Sequence, residues 1–530
     1  MNNRKLQVWL PLIFSLVMIA GMFYGFRLHQ QTGTQASFFK KERSTALQEA
    51  LDLINLKYVD KVHMDSLQAG AMQEMMSELD PHSVYIPAMD LSEANEDIIG
   101  NFEGIGIEFN IFNDTVNVLY VVPDGPSDKA GLQVGDRILK VGDSSITNRR
   151  FGSDQIKKLI RGDDGSSVKL LISRQNNLKN VTITRGRIPL PSLDAAYMLD
   201  SITGYIKLNK FSETTHEEFS RSLEDLQANG LKKLVLDLRG NGGGLLIEAI
   251  DIADDFLDED KLIVYTEGEN VKRREYKARR DGLFEQGELV LLIDELAASA
   301  SEVLAGALQD WDRATIIGRR SFGKGLVQEQ YTLSDGSAIR LTVARYYTPL
   351  GRSIQRSYAN GKEVYMDELF ERHENGQLQS ADSNKFVKGQ TYVTKKGKKV
   401  YGGGGIMPDI FVPIDTSRLQ SSVTKLYLEG TFNNFVYQYY SQRLPLFAQY
   451  KSPADFNKRF NNTNDAWNKL VQFAKKDSIN LQNIPAADRE AIEQRLKAYL
   501  ARFRWRNQGF FEVLNNSDPT IIKAMEVIGK

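Results

Sequence analysis

The sequence contains no cysteine. That absence removes disulfide frameworks, thiolate zinc sites, iron–sulfur clusters and every cysteine nucleophile in one step. Histidine is scarce as well, five scattered along 530 residues, which leaves little for a metal; no cofactor is expected. Neither sign of charge is in excess: 67 Lys and Arg stand against 68 Asp and Glu, for a net charge of −1. A general nucleic-acid binder needs a basic field, and no nucleic-acid partner is expected. What remains is an ordinary globular composition, 25% charged and 42% hydrophobic, on a chain long enough for about three or four domains.

Long apolar runs are absent except for one. Residues 8–26 are nineteen uncharged residues between Arg4 and Lys5 on one side and Arg27 on the other, enough to cross the roughly 30 Å hydrocarbon layer. The rival reading is a cleaved signal peptide, but the run exceeds a usual h-region and no A-x-A-like site follows it. The expectation is a single-pass anchor over 1–27. Arg4 and Lys5 argue for a cytoplasmic head, while Arg27, Lys40, Lys41 and Arg43 weaken the count. With cysteine absent, the bulk is expected outside the cytoplasm, which for a bacterial inner membrane means the periplasm.

Apolar residues at helical spacing over 43–57 and 64–79 predict two amphipathic helices in a region 35–97. Residues 98–188 read as a small unit: an alternating hairpin turning at Asn113–Asp114, turns at 123–126 and 135–136, a helix near 153–161 and two further strands. Pro189 and Pro191 mark a linker. From 203 to about 347, strands alternate with helical patterns at 214–228, 245–257 and 299–311, as in α/β layers, followed by a hairpin over 326–347. The stretch 351–401 is polar and poor in apolar periodicity, which predicts a surface insertion in the unit 189–413. Residues 414–530 read as a helical, aromatic-rich extension.

Three motifs carry chemistry. The first is Gly104–Ile105–Gly106–Ile107, two glycines opening an alternating strand. Successive backbone N–H groups there could form a nest for an anion such as a peptide carboxylate, with an extended peptide added along the strand; a plain β-turn is the alternative. The second is a serine at a strand-to-helix junction, in Ser299–Ala300–Ser301–Glu302. Ser299 with Glu302 also spells a capping box, whereas a nucleophile at that place would gain backbone donors for an oxyanion. No histidine is suitably placed to serve it. Lys324, in Gly323–Lys324–Gly325, is the remaining base if burial lowers its pKa from about 10.4 toward 7, and a solvated loop lysine otherwise. Gln328 could orient its amine or be an ordinary strand residue. The third motif is Asp237 to Gly244, a glycine run between strand and helix. It fits neither nucleotide-binding fingerprint, because Leu245 occupies the last glycine position of one and the other is absent, so an oxyanion-binding backbone is the better reading.

Residues 98–188 resemble a PDZ domain, in the glycine loop, the run VVPDGPSDKAGLQVGDRILKVGDSSI and a helix ending in LIRG. LDPHSVY (79–85), LDLRGNGGG (236–244), ASASEVLAGAL (298–308), GRRSFGKGLVQ (318–328), LSDGSAIRLTVARYYTP (333–349) and GIMPDI (405–410) extend the likeness. Together they resemble the carboxyl-terminal processing peptidases, or tail-specific proteases, over about 40–413. The resemblance implies a crotonase-like protease core with an inserted PDZ-like domain; with the N-terminal helical segment and the helical tail read from periodicity, the expected fold class is multidomain α/β, and the insertion 351–401 and the tail 417–530 lie outside the resemblance. It implies Ser299 rather than Ser301 as nucleophile, Lys324 as base, Gln328 as its assistant, and Ala300 and Gly244 as oxyanion donors. It implies peptide binding at Gly104, Ile105, Gly106 and Ile107, and protein substrates with accessible, apolar C-termini. The sequence departs from the family at Asp294–Glu295–Leu296–Ala297, where relatives often carry Asn, Gly and Thr. An inactive membrane-tethered scaffold and a crotonase-like acyl-transfer or lyase enzyme are the rival readings. Self-association, an adaptor protein or packing on the core are the candidate roles of the tail.

Overall fold

The computed structural model describes residue 9 and residues 14–24, 45–112, 114–147, 151–380, 389–414 and 421–529. Among the described residues no helix is long and apolar enough to cross a membrane. Of the expected span 8–26, Trp9 and residues 14–24 are described, helical and exposed; the rest of that expectation lies outside the described residues. The chain divides into two units, Met1–Glu74 and Met75–Lys530. In the first, Ala46–Lys57 is a helix whose N-cap, Thr45, accepts the Gln48 N–H. A second helix, Met64–Ser77, begins in the first unit and runs past its boundary at Glu74.

The second unit is organised by a six-stranded sheet in the order Leu193–Met198, Thr203–Leu208, Lys233–Asp237, Glu288–Ile293, Thr315–Gly318, Ile410–Phe411. The first pair is antiparallel and the rest are parallel. Parallel strands must be covered on both faces, which is why KLVLD and ELVLLI read as nearly unbroken apolar runs. Leu234, Leu236, Leu289, Leu291 and Ile293 point into one core with the helices Thr215–Ala228, Leu246–Asp254 and Ala300–Asp310. Val235, Val290 and Leu292 alternate into a second core, closed by Ile521, Ala524 and Ile528 of the chain's last helix, Pro519–Ile528.

One predicted strand went elsewhere. Alternation over 203–347 places KLIVYT (261–266) in the α/β layers, but Leu262–Glu267 pairs antiparallel with Ala338–Tyr347 in a second sheet. That sheet also takes Val84–Ile86, Arg274–Lys277 and Leu326–Thr332. Residues 107–184 form a separate sheet, from Ile107–Phe112 to Asn177–Thr184, around the helix Ser153–Ile160 and a core of its own. The predicted turn at 113–114 joins Ile107–Phe112 to Thr115–Val121, although residue 113 itself is not described. The chain enters and leaves this small unit through a two-stranded stem, Asn101–Gly104 against Gly186–Pro189. The tail folds into helices with an aromatic core of its own, including Phe432, Phe435, Phe447, Phe456 and Trp467. Through the last helix it also packs on the central sheet.

The segment 351–401 corrects an expectation. It is surface only in part: Arg352, Ile354, Arg356, Tyr365, Arg372 and Val400 are buried while Val364, Met366, Phe370 and Val393 are exposed, and Lys362–Glu374 is a helix. Residues 381–388 within it lie outside the described residues.

Candidate active site

Ser299 stands where the strand Glu288–Ile293 hands over to the buried helix Ala300–Asp310. The connecting turn is fixed by Asp294, whose Oδ1 accepts the N–H groups of Gly240 at 2.9 Å, Leu296 at 3.2 Å and Ala297 at 3.1 Å. The serine is held at φ 56°, ψ −115°, a left-handed conformation that costs a residue with a Cβ about 1–3 kcal/mol. Ser299 is partly exposed. Ser301 is fully buried, and its hydroxyl donates to the Asn241 carbonyl at 2.9 Å. The two serines of the motif therefore have different surroundings, one facing outward and one tied into the core.

The glycine run follows the strand Lys233–Asp237. Burial would push the Asp237 carboxyl up, but Arg239 at 2.7 Å and Lys207 at 3.7 Å outweigh it and hold it well below the ordinary range. Gly243 has φ 99°, and a Cβ there would meet Ser299 Cβ at 2.8 Å and the Ala300 nitrogen at 3.0 Å. A side chain at 243 would cover the Ala300 amide, so glycine keeps that donor open. At Gly244, φ 145°, a Cβ would sit 2.0 Å from the Phe211 carbonyl oxygen. The Gly243 amide donates to Asn241 Oδ1 and the Leu245 amide to Phe211 O. Between them the Gly244 amide has no intramolecular acceptor among the described residues.

Lys324 reaches this site through hydrogen bonds that local spacing did not disclose. Glu302 is fully buried. Its Oε2 accepts the Ser299 N–H at 2.9 Å and the Lys324 N–H at 2.8 Å, and its Oε1 accepts the Ser321 hydroxyl at 2.5 Å and the Gly323 N–H at 2.7 Å. The carboxylate that spelled a capping box thus ties the serine junction to the lysine loop. Burial pushes the Glu302 carboxyl up, while these donors act against that shift. On the other side, the Tyr346 hydroxyl bonds to the carbonyl of Ser299 at 3.1 Å and to the carbonyl of Lys324. Ser299 and Lys324 share one partner for their amides and another for their carbonyls.

The Lys324 amine donates to Gln328 Oε1 at 2.8 Å, and Gln328 Nε2 donates to the His82 carbonyl at 2.5 Å. The second bond fixes which end of the amide faces the lysine. Asp80 holds that carbonyl's loop by accepting from the His82 N–H, the Ser83 N–H and the Ser83 hydroxyl. Burial, helped by the charge of Arg340, pushes the Lys324 amine below its ordinary value. Burial, helped by Lys324, pushes His82 down to about 4, so its imidazole is neutral near pH 7. Part of the surrounding wall comes from 351–401. Arg356 lies 4.1 Å from the Phe322 ring centroid and 3.9 Å from that of Tyr365. Arg372 donates to the carbonyls of Ser321 and Phe322.

The loop Gly104–Ile107 lies in the small unit and shares no hydrogen bond with the serine–lysine cluster among the described residues. Gly106 has φ 73°. The carbonyls of Ile105 and Gly106 turn inward to accept from Ser127 and Val122. Beside the loop, a groove of about 290 Å³ runs between the strand Ile107–Phe112 and the helix Ser153–Ile160, walled by Phe102, Phe109, Ile160 and Arg161.

Comparison with known proteins finds matching family models along the chain. Residues 202–362 match peptidase family S41, residues 118–174 a PDZ domain, and residues 18–90 the N-terminal domain of the activating protease CtpB. Residues 422–506 match a family of unknown function. A CtpA-like serine protease of Staphylococcus haemolyticus is 33% identical over 62% of this chain and 65% of its own length. One from Staphylococcus epidermidis is 33% identical over 64% of this chain and 67% of its own. The chain thus spans about two thirds of the curated relatives it matches. Among solved structures, a photosystem II D1 C-terminal processing protease is 26% identical, covers 71% of this chain and 88% of its own, and has a TM-score of 0.36.

Proposed function

Because this chain belongs to peptidase family S41 and carries a PDZ domain ahead of the family's core, we propose that it is a serine endopeptidase that captures protein substrates by accessible, apolar C-termini. Cleavage then falls to a Ser299–Lys324 dyad. The observation that carries this reading is the pair of shared hydrogen-bond partners, Glu302 and Tyr346, on the serine and the lysine.

Ser299 Oγ attacks the scissile carbonyl carbon while the neutral Lys324 amine takes the hydroxyl proton. The oxyanion accepts from the N–H groups of Ala300 and Gly244. Lys324, now an ammonium, gives its proton to the leaving amine as the peptide C–N bond breaks and an acyl ester remains on Ser299. Water attacks the ester, Lys324 accepts a proton from it, and that proton returns to Ser299 Oγ. Gln328 holds the amine in place throughout. The apolar run 8–26 serves as the anchor that keeps the enzyme at the membrane, with its bulk outside the cytoplasm.

The test is a digest of a loosely folded protein ending in apolar residues, run beside the same protein shortened at its C-terminus and beside the Ser299→Ala enzyme. Cleavage upstream in the intact substrate, weaker in the shortened one and absent with Ser299→Ala, is the expected result. Binding of the intact substrate without cleavage by the unaltered enzyme would reject the reading.

A pH dependence follows from the lowered lysine. The active form is the neutral amine, so kcat/KM for a short peptide rises with pH through a single ionisation below the ordinary lysine value of about 10.4. His82, already neutral, adds no inflection near 6.5. Arg340→Gln removes a positive charge that disfavours the ammonium form and shifts the midpoint to higher pH. A midpoint unmoved by this substitution would refute the electrostatic part of the argument.

A further inference from the structure

We infer that the C-terminal helical module is the mount of the peptide-capture domain: it grips the capture strand at Glu108 and fixes that strand relative to the protease core. The inference rests on the reading of 98–188 as the domain that binds substrate C-termini.

The stem alone gives the small unit a narrow attachment, two strands of four residues each. A second tie joins Arg161 to Glu96 at 2.8 Å. The third support comes from the far end of the chain. Glu108, on the strand beside the peptide groove, receives Arg502 on Oε1 and Arg506 on Oε2, both at 2.7 Å. Burial would push this carboxyl up, but the two guanidinium groups outweigh it and hold it below its ordinary value. Arg506 also lies 3.7 Å from the ring centroid of Tyr120 on the neighbouring strand. Four residues along from Glu108, Phe112 stacks on Tyr437 of the tail at 4.7 Å.

The gripping residues are themselves tied to the core. Arg502 donates to Asn507 Oδ1, and Asn507 donates to Asp194 on the edge strand of the central sheet at 2.6 Å. The helix Ala486–Leu514 breaks its regular backbone at this point, with Trp505 at φ −122° and Arg506 at φ 57°, ψ −150°. Arg506 keeps a conformation suited to glycine while its side chain reaches across to Glu108. Glu108 borders both the peptide groove and the crevice against the tail, so the clasp and the captured peptide bear on one strand.

The test uses the whole protein. With no native cysteine, Lys179→Cys on the small unit and Lys232→Cys on the core, both exposed, can carry a pair of spin labels. The distance distribution between them is expected to be narrow with the clasp intact and broad in Arg502→Ala/Arg506→Ala. Arg506→Gly removes one arm while suiting the positive φ, and is expected to broaden it too, which keeps the test decisive if the double variant folds poorly. Loss of the fixed geometry lowers the effective concentration of a captured substrate at the serine. For a substrate with an apolar C-terminus, kcat/KM should fall about tenfold, with hydrolysis of a short peptide unchanged. A distance distribution that stays narrow without the arginines overturns the mount. The capture reading is judged separately, by binding of a fluorescent peptide with a free C-terminal carboxylate against its amidated form, since equal binding there would count against capture and leave the distance result standing.

Discussion

Ser299→Ala should lower kcat by about 10⁴-fold or more, because loss of the attacking oxygen removes the covalent step altogether. Lys324→Ala should cost about 10²–10⁴-fold, the usual share of a general base, and its residual rate should no longer follow the lysine ionisation. Ser301→Ala is the internal control. Its hydroxyl is spent on the Asn241 carbonyl, so the expected loss is about 1 kcal/mol of stability with turnover retained. Steady-state kinetics on a short peptide, with circular dichroism to confirm that each variant folds, measures all three. If Ser301→Ala were the inactive one, the assignment of the two serines would be reversed.

The second large effect is structural. Glu302→Ala leaves the Ser299, Gly323 and Lys324 amides and the Ser321 hydroxyl without their acceptor inside the protein. A buried donor left unpaired costs about 1–3 kcal/mol, so a loss of about 4 kcal/mol or more is expected, read as a lower urea midpoint. Activity should fall further than stability alone explains, because the serine and the lysine lose their shared tie and an ångström of drift costs about 10²-fold. Tyr346→Phe, which removes one hydroxyl, should be milder on both counts. An unchanged midpoint for Glu302→Ala would show that the two loops are joined by other means.

Much of the fold could be read from the residues. The hairpin expected over 326–347 is formed by Leu326–Thr332 and Ala338–Tyr347, and the helix expected over 214–228 is Thr215–Ala228. Local periodicity says which residues face a core but not which sheet a strand joins, and Leu262–Glu267 was misplaced for that reason. Glu302 was legible only as a capping partner three residues from Ser299; its bonds to Ser321, Gly323 and Lys324 span 19 to 22 positions. The buried part of 351–401 gives little hydrophobic signal because Arg352, Arg356 and Arg372 fill it alongside a few apolar residues such as Ile354 and Val400. Arg352 meets Asp310, and Arg356 and Arg372 meet Glu368, so hydrophobicity gives no signal where charges are buried in pairs. The clasp was hidden by distance along the chain, Glu108 lying 394 and 398 residues from its two arginines.

Since the chain leaves the body at Asn101–Gly104 and returns beside it at Gly186–Pro189, everything between is a cassette whose two cut ends are already adjacent. Different recognition heads could be spliced into that socket without redrawing the catalytic body. The donor would have to bring an acidic side chain to the place of Glu108, or it would arrive with nothing for the rear arginines to hold.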